Sequence, residues 1–188
     1  MSDHRADDDL ARAQRRANVE VRLLDEPSEL AEAQSVFDAV WPAADGSTQL
    51  ATNLMRAIVH AGGYCSAAYR DGQPIAAAFG FAGRHRTEGG WHEHLHSHMA
   101  AVLDDHRDEH IGSALKMHQR SWALDHGLDT IVWTFDPLVR RNVRLNLIKL
   151  GVDVEGFEPD FYGQMDDGIN SGDPTDRLFA WWRLDSER

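Results

Sequence analysis

The sequence predicts an α/β (α+β) fold in which a mixed, mostly antiparallel central sheet of about seven strands is flanked by about four helices. Three observations carry this prediction. Apolar residues switch repeatedly between the two-residue spacing of a strand and the spacing of a helix. Arg70-Asp71-Gly72 sits between two apolar runs, and Asp-Gly there marks a tight hairpin. From Met99 to Gly151, a strand, a loop, a helix, a second strand and a second helix follow in order, which is a βαβα core.

Met1 to Asn18 joins Asp7-Asp8-Asp9 to Arg15-Arg16 with little apolar periodicity, so it is expected as a flexible or exposed tail, or a short solvent-exposed helix. One domain is expected over residues 19–188. Val19 to Leu24 alternates as a first strand, and Asp25 and Pro27 then open a helix with Leu30, Ala33, Phe37 and Val40 on one stripe, stopped by Pro42. A second helix is predicted from Ser47 or Thr48 through Leu50, Leu54 and Ile58 to Gly62-Gly63. Tyr64 to Tyr69 and Gln73 to Ala82 form the hairpin, and Glu93 to Leu103 is the next strand after Gly89-Gly90. A helix over Ile111 to His126 carries Ala114, Met117, Ser121 and Leu124 on one stripe and ends at Gly127. Asp129 to Phe135 is apolar and β-branched, hence a strand. A helix with Val139, Val143, Leu147 and Leu150 ends at Gly151, and strands around Val152 to Tyr162 and Leu178 to Leu184 close the chain.

The chain has 188 residues, with 19 lysines and arginines against 31 aspartates and glutamates, a net charge of −12. That excess opposes attraction to nucleic-acid phosphates and to an anionic membrane surface. No apolar run approaches the roughly 20 residues that span a bilayer, and the polar N-terminus lacks the apolar centre of a signal peptide. The lone Cys65 has no intrachain partner for a disulfide. A cytoplasmic location is the expectation, with neither nucleic acid nor membrane as a partner.

The stretch Arg107-Asp108-Glu109-His110-Ile111-Gly112 lies between a strand and a helix. A loop there turns backbone N–H groups toward an anion, and Gly112-Ser113 offers small side chains where a pyrophosphate approaches. Downstream come Thr134-Phe135-Asp136-Pro137, Asn142, Asn146-Leu147, Lys149-Leu150-Gly151, Asp160-Phe161-Tyr162-Gly163 and Pro174-Thr175-Asp176-Arg177. With the order of elements, these motifs resemble the GNAT N-acetyltransferases, in a branch of predicted acetyltransferases of unassigned substrate. The resemblance covers about residues 95 to 184. The family's loop pattern is Arg or Gln, two residues, Gly, one residue, then Gly or Ala; Arg107 and Gly112 match it, whereas His110 replaces the first glycine.

The resemblance implies a GNAT fold, acetyl-CoA as co-substrate, and direct acyl transfer to the amine of a small-molecule acceptor. It places the coenzyme against the backbone of Ala100 and Val102, against Arg107, His110, Ile111, Gly112 and Ser113 of the loop, and beside Asn142. Asp104, Asp108 and Glu109 raise the electrostatic cost of a pyrophosphate there. A second reading therefore stays open: a degenerate, non-catalytic domain of the family that binds an acyl-CoA or another ligand.

His92, His94, His96 and His98 alternate, so in a strand all four share a face, with Leu95 and Met99 on the other. His96 lies four residues before Ala100, where some family members place the base that takes the acceptor's proton, and an imidazole titrating near 6.5 suits that task. His98 is expected in the same pocket. The alternative is that these are half-exposed strand residues or hydrogen-bonded core groups. Neither cysteine nor a clear carboxylate completes a metal-ligand set, so no metal is assigned.

Where the family often carries a tyrosine that protonates the coenzyme A sulfur, this chain has Leu147. Water, Asn142 or Tyr162 is left for that role; Tyr162 reads equally as a strand tyrosine packed with Phe157 and Phe161. Asp136 reads as a helix cap, and Asp160, Asp176 and Arg177 as acceptor-pocket candidates or an exposed ion pair. Trp181-Trp182 sends one ring to each face of a strand, one to the core and one available to cover the partner in a homodimer.

Overall fold

A computed structural model describes residues 3–43, 45–163 and 174–184, with side chains from Arg5 onward. The order of elements is α1 (Asp3–Ala17), β1 (Glu20–Leu23), α2 (Pro27–Val40), α3 (Thr52–His60), β2 (Tyr64–Arg70), β3 (Gln73–Thr87), β4 (Gly90–Val102), α4 (Ile111–Asp125), β5 (Thr130–Phe135), α5 (Arg140–Val143), β6 (Asp153–Glu158) and β7 (Arg177–Arg183). The strands form one sheet in the order β1-β2-β3-β4-β5-β7-β6. Every neighbouring pair is antiparallel except β4 and β5. This is the mixed seven-stranded architecture that the sequence predicts.

Two cores lie on opposite faces of the sheet. On one, Ala17 of α1 and Ile111, Ala114, Leu115 and Trp122 of α4 pack on Tyr64, Ala76, Ala78 and Leu95. On the other, Leu30, Phe37 and Met55 from α2 and α3 pack on Ala67, Ala77, Phe79 and Ala101. The alternate alanines of β2 and β3 let helices approach closely on both sides, which explains why β2 is buried nearly end to end. Burying side chains such as Phe37 and Met55 stabilises the fold by roughly 1.5–3 kcal/mol each.

Several segments depart from the sequence reading. Residues 3–17 form a helix, the second of the two forms expected, but Ala6 and Ala17 are buried, so it is packed on one side rather than solvent-exposed. Ser121 Oγ donates to Asp7 Oδ1 at 2.8 Å and the Val21 N–H donates to Gln14 Oε1 at 2.6 Å, tying α1 to α4 and β1. Helix α3 begins at Thr52, not at Ser47 or Thr48, because Thr48 Oγ1 donates to Asp38 Oδ1 at 2.8 Å and holds the preceding loop on α2. Leu54, expected on its apolar stripe, is exposed, and Met55 is buried instead. Strand β3 runs on to Thr87 and pairs with β4 as far as Gly90, whereas β6 is shorter than Val152 to Tyr162.

After β5 the α-helix lasts only four residues and continues as a π-helical turn over Arg144–Leu150. Its wider pitch breaks the expected stripe: Leu147 is exposed, while Leu145 and Leu150 pack inward.

The register of β3 on β4 shifts once, from Met99↔Phe79 to Ser97↔Gly80, so His98 is the extra residue of a β-bulge. Beyond it the faces exchange. Leu95 packs in the α4-side core, while Met99 packs against the α2–α3 core, so these two do not share a face as alternation alone predicts. Gly80 faces the bulge, and a Cβ there would lie 2.8 Å from the His96 carbonyl oxygen. Gly80→Ala is expected to lower unfolding free energy by about 1–3 kcal/mol in urea titration; a neutral effect would mean that the strands can part locally at no cost.

Candidate functional site

Strands β4 and β5 are in register only at Leu95↔Ile131 and His96↔Val132. Beyond these positions the two strands make no further pairs, so residues 97–102 keep β3 on one side and have no strand partner on the other among the described residues. Ala100 is exposed along this stretch and Val102 is half-buried. Unpaired strand backbone offers N–H and C=O groups to an extended ligand, as an added strand would.

Strand β4 leads through Asp104–His106 into the loop before α4. Two non-glycine residues of this loop have left-handed backbone, Asp108 at φ 65° and His110 at φ 67°. That conformation favours glycine, so His110 holds at some cost the geometry for which the family pattern uses glycine. The Ser113 and Ala114 N–H groups both donate to the His110 carbonyl, at 3.0 and 3.2 Å. The N–H groups of Ile111 and Gly112 are left without an intrahelical acceptor, at the end of α4 that favours anions. Ser113 Oγ is buried with no hydrogen-bond partner among the described residues.

Two of the acidic residues of the loop are paired with arginines. Asp104 pairs with Arg107. Glu109 accepts from Arg70 at 2.6 Å, which holds its carboxyl below the usual range. Lys149 Nζ donates to His110 Nδ1 at 3.2 Å, and partial desolvation, with Arg16, Lys149 and Arg144 nearby, lowers the titration of His110. The anion-facing end of α4 is thus a locally cationic place in an acidic protein. Asn142 is half-buried in α5, and Gly112 looks toward Leu145, 3.6 Å from where its Cβ would be.

The histidines divide into two groups. His96 and His98 flank Phe81, with ring centroids 4.9 and 5.6 Å from it and 6.0 Å from each other. They sit where β4 leaves β5. Burial, reinforced by His98, His94 and Lys116, lowers His96 to about 4, so it is neutral at physiological pH rather than titrating near 6.5. Desolvation lowers His98 as well.

His92 and His94 instead meet His85 on β3, which the sequence reading missed because it ended that strand at Ala82. The register His85↔His92 brings the rings together, with His85 Nδ1 3.2 Å from His94 Nδ1. His92 Nε2 lies 2.8 Å from Asp129 Oδ1. Trp181 stands edge-on to His85 at 4.6 Å, so this ring is engaged within the chain, while Trp182 enters the core beside Trp133. Among the described residues no group of three or more such side chains encloses a metal position.

Lys116 of α4 is the other polar side chain of note, and nothing in its spacing announced it, because a lysine on a helix is ordinarily read as solvent-facing. It is 5% exposed. Its Nζ donates to Ser97 Oγ at 2.9 Å and lies 3.7 Å from the centroid of Trp133. Ser97 Oγ in turn donates to Gln119 Oε1 at 3.0 Å, and Gln119 Nε2 has no partner among the described residues. Desolvation lowers Lys116 to about 7.

Tyr162 lies in the turn after β6, not in a strand; its hydroxyl is 3.1 Å from Thr134 Oγ1 at the end of β5, and its ring contacts Phe161 and Arg177. Asp136 accepts from the Leu138 N–H at 2.7 Å, but the residue at the helix N-cap is Val139. Asp160 accepts from the Thr175 N–H and hydroxyl, Asp176 accepts from the Asp160 N–H, and Arg177 donates to the Asp176 carbonyl. These three therefore pin the turn to β7 rather than forming an exposed ion pair.

A family model described as "Acetyltransferase (GNAT) family" matches residues 28–151. No curated protein matches the chain in sequence. Among solved structures, an N-acetyltransferase from Staphylococcus aureus Mu50 superposes with a TM-score of 0.67 at 15% identity, over 89% of this chain and 99% of that one. The ribosomal-protein-S18-alanine N-acetyltransferase of Escherichia coli gives 0.65 at 14% identity, over 90% and 96%. The Salmonella typhimurium protein yncA, solved with its cofactor acetyl-CoA, gives 0.64 at 17% identity, over 90% and 95%. At such identities the likeness is one of fold.

The histidine environments also govern acid stability. Burial lowers His94, His96 and His118 to about 4. Each takes up its proton in the unfolded chain near pH 6.5 and in the folded chain only near 4. Their contribution is complete above pH 6.5 and is lost as pH falls toward 4, with a slope of at most about 1.4 kcal/mol per pH unit for each. Thermal unfolding should therefore show a falling midpoint between pH 6.5 and 4.5, with a shallower slope in His94→Gln; equal slopes in the two proteins would contradict a neutral, buried His94.

Proposed function

The chain belongs to the GNAT acetyltransferase family, and from that premise we propose that it transfers an acetyl group from acetyl-CoA to the amine of a small-molecule acceptor by direct attack. The observation that carries this reading is the continuity of three features: the β4–β5 cleft, the exposed β4 backbone at Ala100 and Val102, and the left-handed turn at His110 that frees the Ile111 and Gly112 N–H groups. Together they fit an extended thioester with an anionic far end. Acetyl-CoA supplies the activated acyl carbon; the chain's own residues supply position, charge and proton transfer.

In this reading Ile111, Gly112 and Ser113 hold the pyrophosphate, and the cations around His110 offset its charge. Arg107 acts mainly by bracing the loop through Asp104. A backbone N–H of β4 near Ala100 points to the oxyanion that forms on attack, an effect worth about 2.7–4 kcal/mol where it has been removed in other enzymes. His96, neutral at physiological pH, accepts the acceptor's proton directly or through a water, and its lowered affinity for protons makes it a weak base that is always available. His98 lines the same wall. Tyr162 meets Thr134 at the end of β5, the strand that faces β4.

The net charge of −12 favours a cationic or zwitterionic amine over an anionic one. A panel of amino acids, polyamines and amino-sugars set against short peptides with free N-termini distinguishes a small acceptor from a protein one.

Calorimetry with acetyl-CoA tests the coenzyme site. Wild type is expected to bind. Gly112→Ala should bind too, since its Cβ makes only ordinary contact, whereas Gly112→Asp should weaken binding at least about tenfold by placing a carboxylate against the anion. Equal binding in all three, or none in wild type, would remove the loop from the site. Once an acceptor is in hand, His96→Ala is expected to lower kcat by about 10²-fold. The wild-type rate should show no limb from His96 between pH 5.5 and 7.5, because its proton is lost near 4; an unaltered rate in the variant would exclude His96 as the base.

A further inference from the structure

Leu147 stands where the family's sulfur-protonating tyrosine is expected, and it is an exposed leucine on a π-helical turn. The cleft nevertheless holds a buried cation at its closed end. The last paired residues of β4 and β5 are His96 and Val132, so Ser97 and Trp133 are the first pair to separate. Lys116 Nζ touches both, at 2.9 Å from the Ser97 hydroxyl and 3.7 Å from the Trp133 ring centroid. An ammonium has three donors, and a single hydrogen bond is made here. No carboxylate pairs with Lys116 among the described residues. A buried lysine without a counter-charge is an expensive arrangement, and Lys116 is in contact with the first residues past the point where the strands divide.

The location matters because of direction. The anion-binding loop lies beyond the open end of β4, so a ligand running back along residues 102 to 97 brings its opposite end to the closed one. At about 3.3 Å per residue this run is about 16 Å long. We propose that Lys116 is the group that stabilises and protonates the leaving thiolate of coenzyme A, from the closed end of the β4–β5 cleft. The proposal rests on the reading of the site as a coenzyme A cleft, and adds to it the acid that the substitution at Leu147 removes.

The acceptor nitrogen bonds to the carbonyl carbon, the C–S bond breaks, and its electron pair stays on sulfur. The Lys116 ammonium gives a proton to that thiolate and is left neutral. The proton shed by the acceptor nitrogen leaves through His96 or water, and Lys116 regains one from water. Burial without a counter-charge lowers Lys116 to about 7, but a thiolate beside it restores the lysine's hold on its proton while the ammonium lowers the thiol, so the two groups titrate as a pair and the proton passes between them. Of the groups around Lys116, His96 on β4 is titratable and is itself held down by Lys116; Trp133 on β5, Ser97 on β4 and Gln119 on α4 are not titratable in this range, and His118 on α4 is engaged by Tyr64 of β2.

The test needs no acceptor. Free coenzyme A is bound to the protein and its thiol is titrated by ultraviolet thiolate absorbance, with calorimetry run in parallel on each variant. In wild type the bound thiol should ionise about one pH unit or more below free coenzyme A. The shift should vanish in Lys116→Met and persist in Lys116→Arg, which keeps the charge. Buried Cys65, pushed up to about 12, stays silent. A bound thiol that ionises as in free solution in wild type overturns the proposal without any variant, as does a shift that survives in Lys116→Met. If Lys116→Met does not fold, Lys116→Gln replaces it. Failure of wild type to bind coenzyme A would instead overturn the reading of the site, and this proposal with it, so the two failures are told apart by calorimetry alone.

Discussion

The separation of β4 from β5 is the constraint on which this molecule depends. It occurs at the one parallel contact of an otherwise antiparallel sheet, and that contact is limited to two registered pairs. A parallel neighbour requires a crossover, and α4 is that crossover, so its N-terminus necessarily opens at the carboxyl end of β4. The unpaired edge of β4, the loop ahead of α4 and the burial of Lys116 where the strands part therefore follow from one topological choice. The β-bulge at His98 reinforces the choice, because it turns Met99 and Ala101 to the α2–α3 side just as the strand loses its neighbour.

Charge is organised locally, against the average of the chain. The protein is strongly acidic, yet the start of α4 is surrounded by Arg16, Arg144 and Lys149, contributed by α1 and by the turn after α5. Of the carboxylates that argue against an anion site, Glu109 is held by Arg70 and Asp104 by Arg107. Such partly exposed pairs add little to stability, but they settle which charges face the loop. Helix α1 lies ahead of the family-matched residues 28–151 and supplies both a covering for α4 and one of these cations.

The legible parts of the fold were those written in short-range patterns. The Asp71-Gly72 turn, the β-branched run of β5 and the glycine after α4 each act through local geometry, and each element lies where those residues put it. Of the candidate site, the loop with Arg107 and Gly112 and the strand with the alternating histidines were legible as elements, because their spacing is a local pattern. The bulge at His98 was not, since the extra residue is defined only by the strand opposite it. Nor was the histidine pair His85–His94, which exists through the register of β3 on β4, or the burial of Lys116, which depends on α4 lying across the point where two strands divide.

Taken alone, the sequence determined the class of fold, the order of its central elements, the family and the loop between β4 and α4, because hydrophobic period, turn residues and glycine spacing are local properties of a chain. Only the tertiary structure decided which histidine stands where β4 and β5 part, that His96 is neutral, that Leu147 faces solvent on a π-helical turn, and that a lysine is buried against Ser97 and Trp133. Each of those depends on desolvation or on contact between residues far apart in the chain, and neither is encoded in the spacing of neighbours.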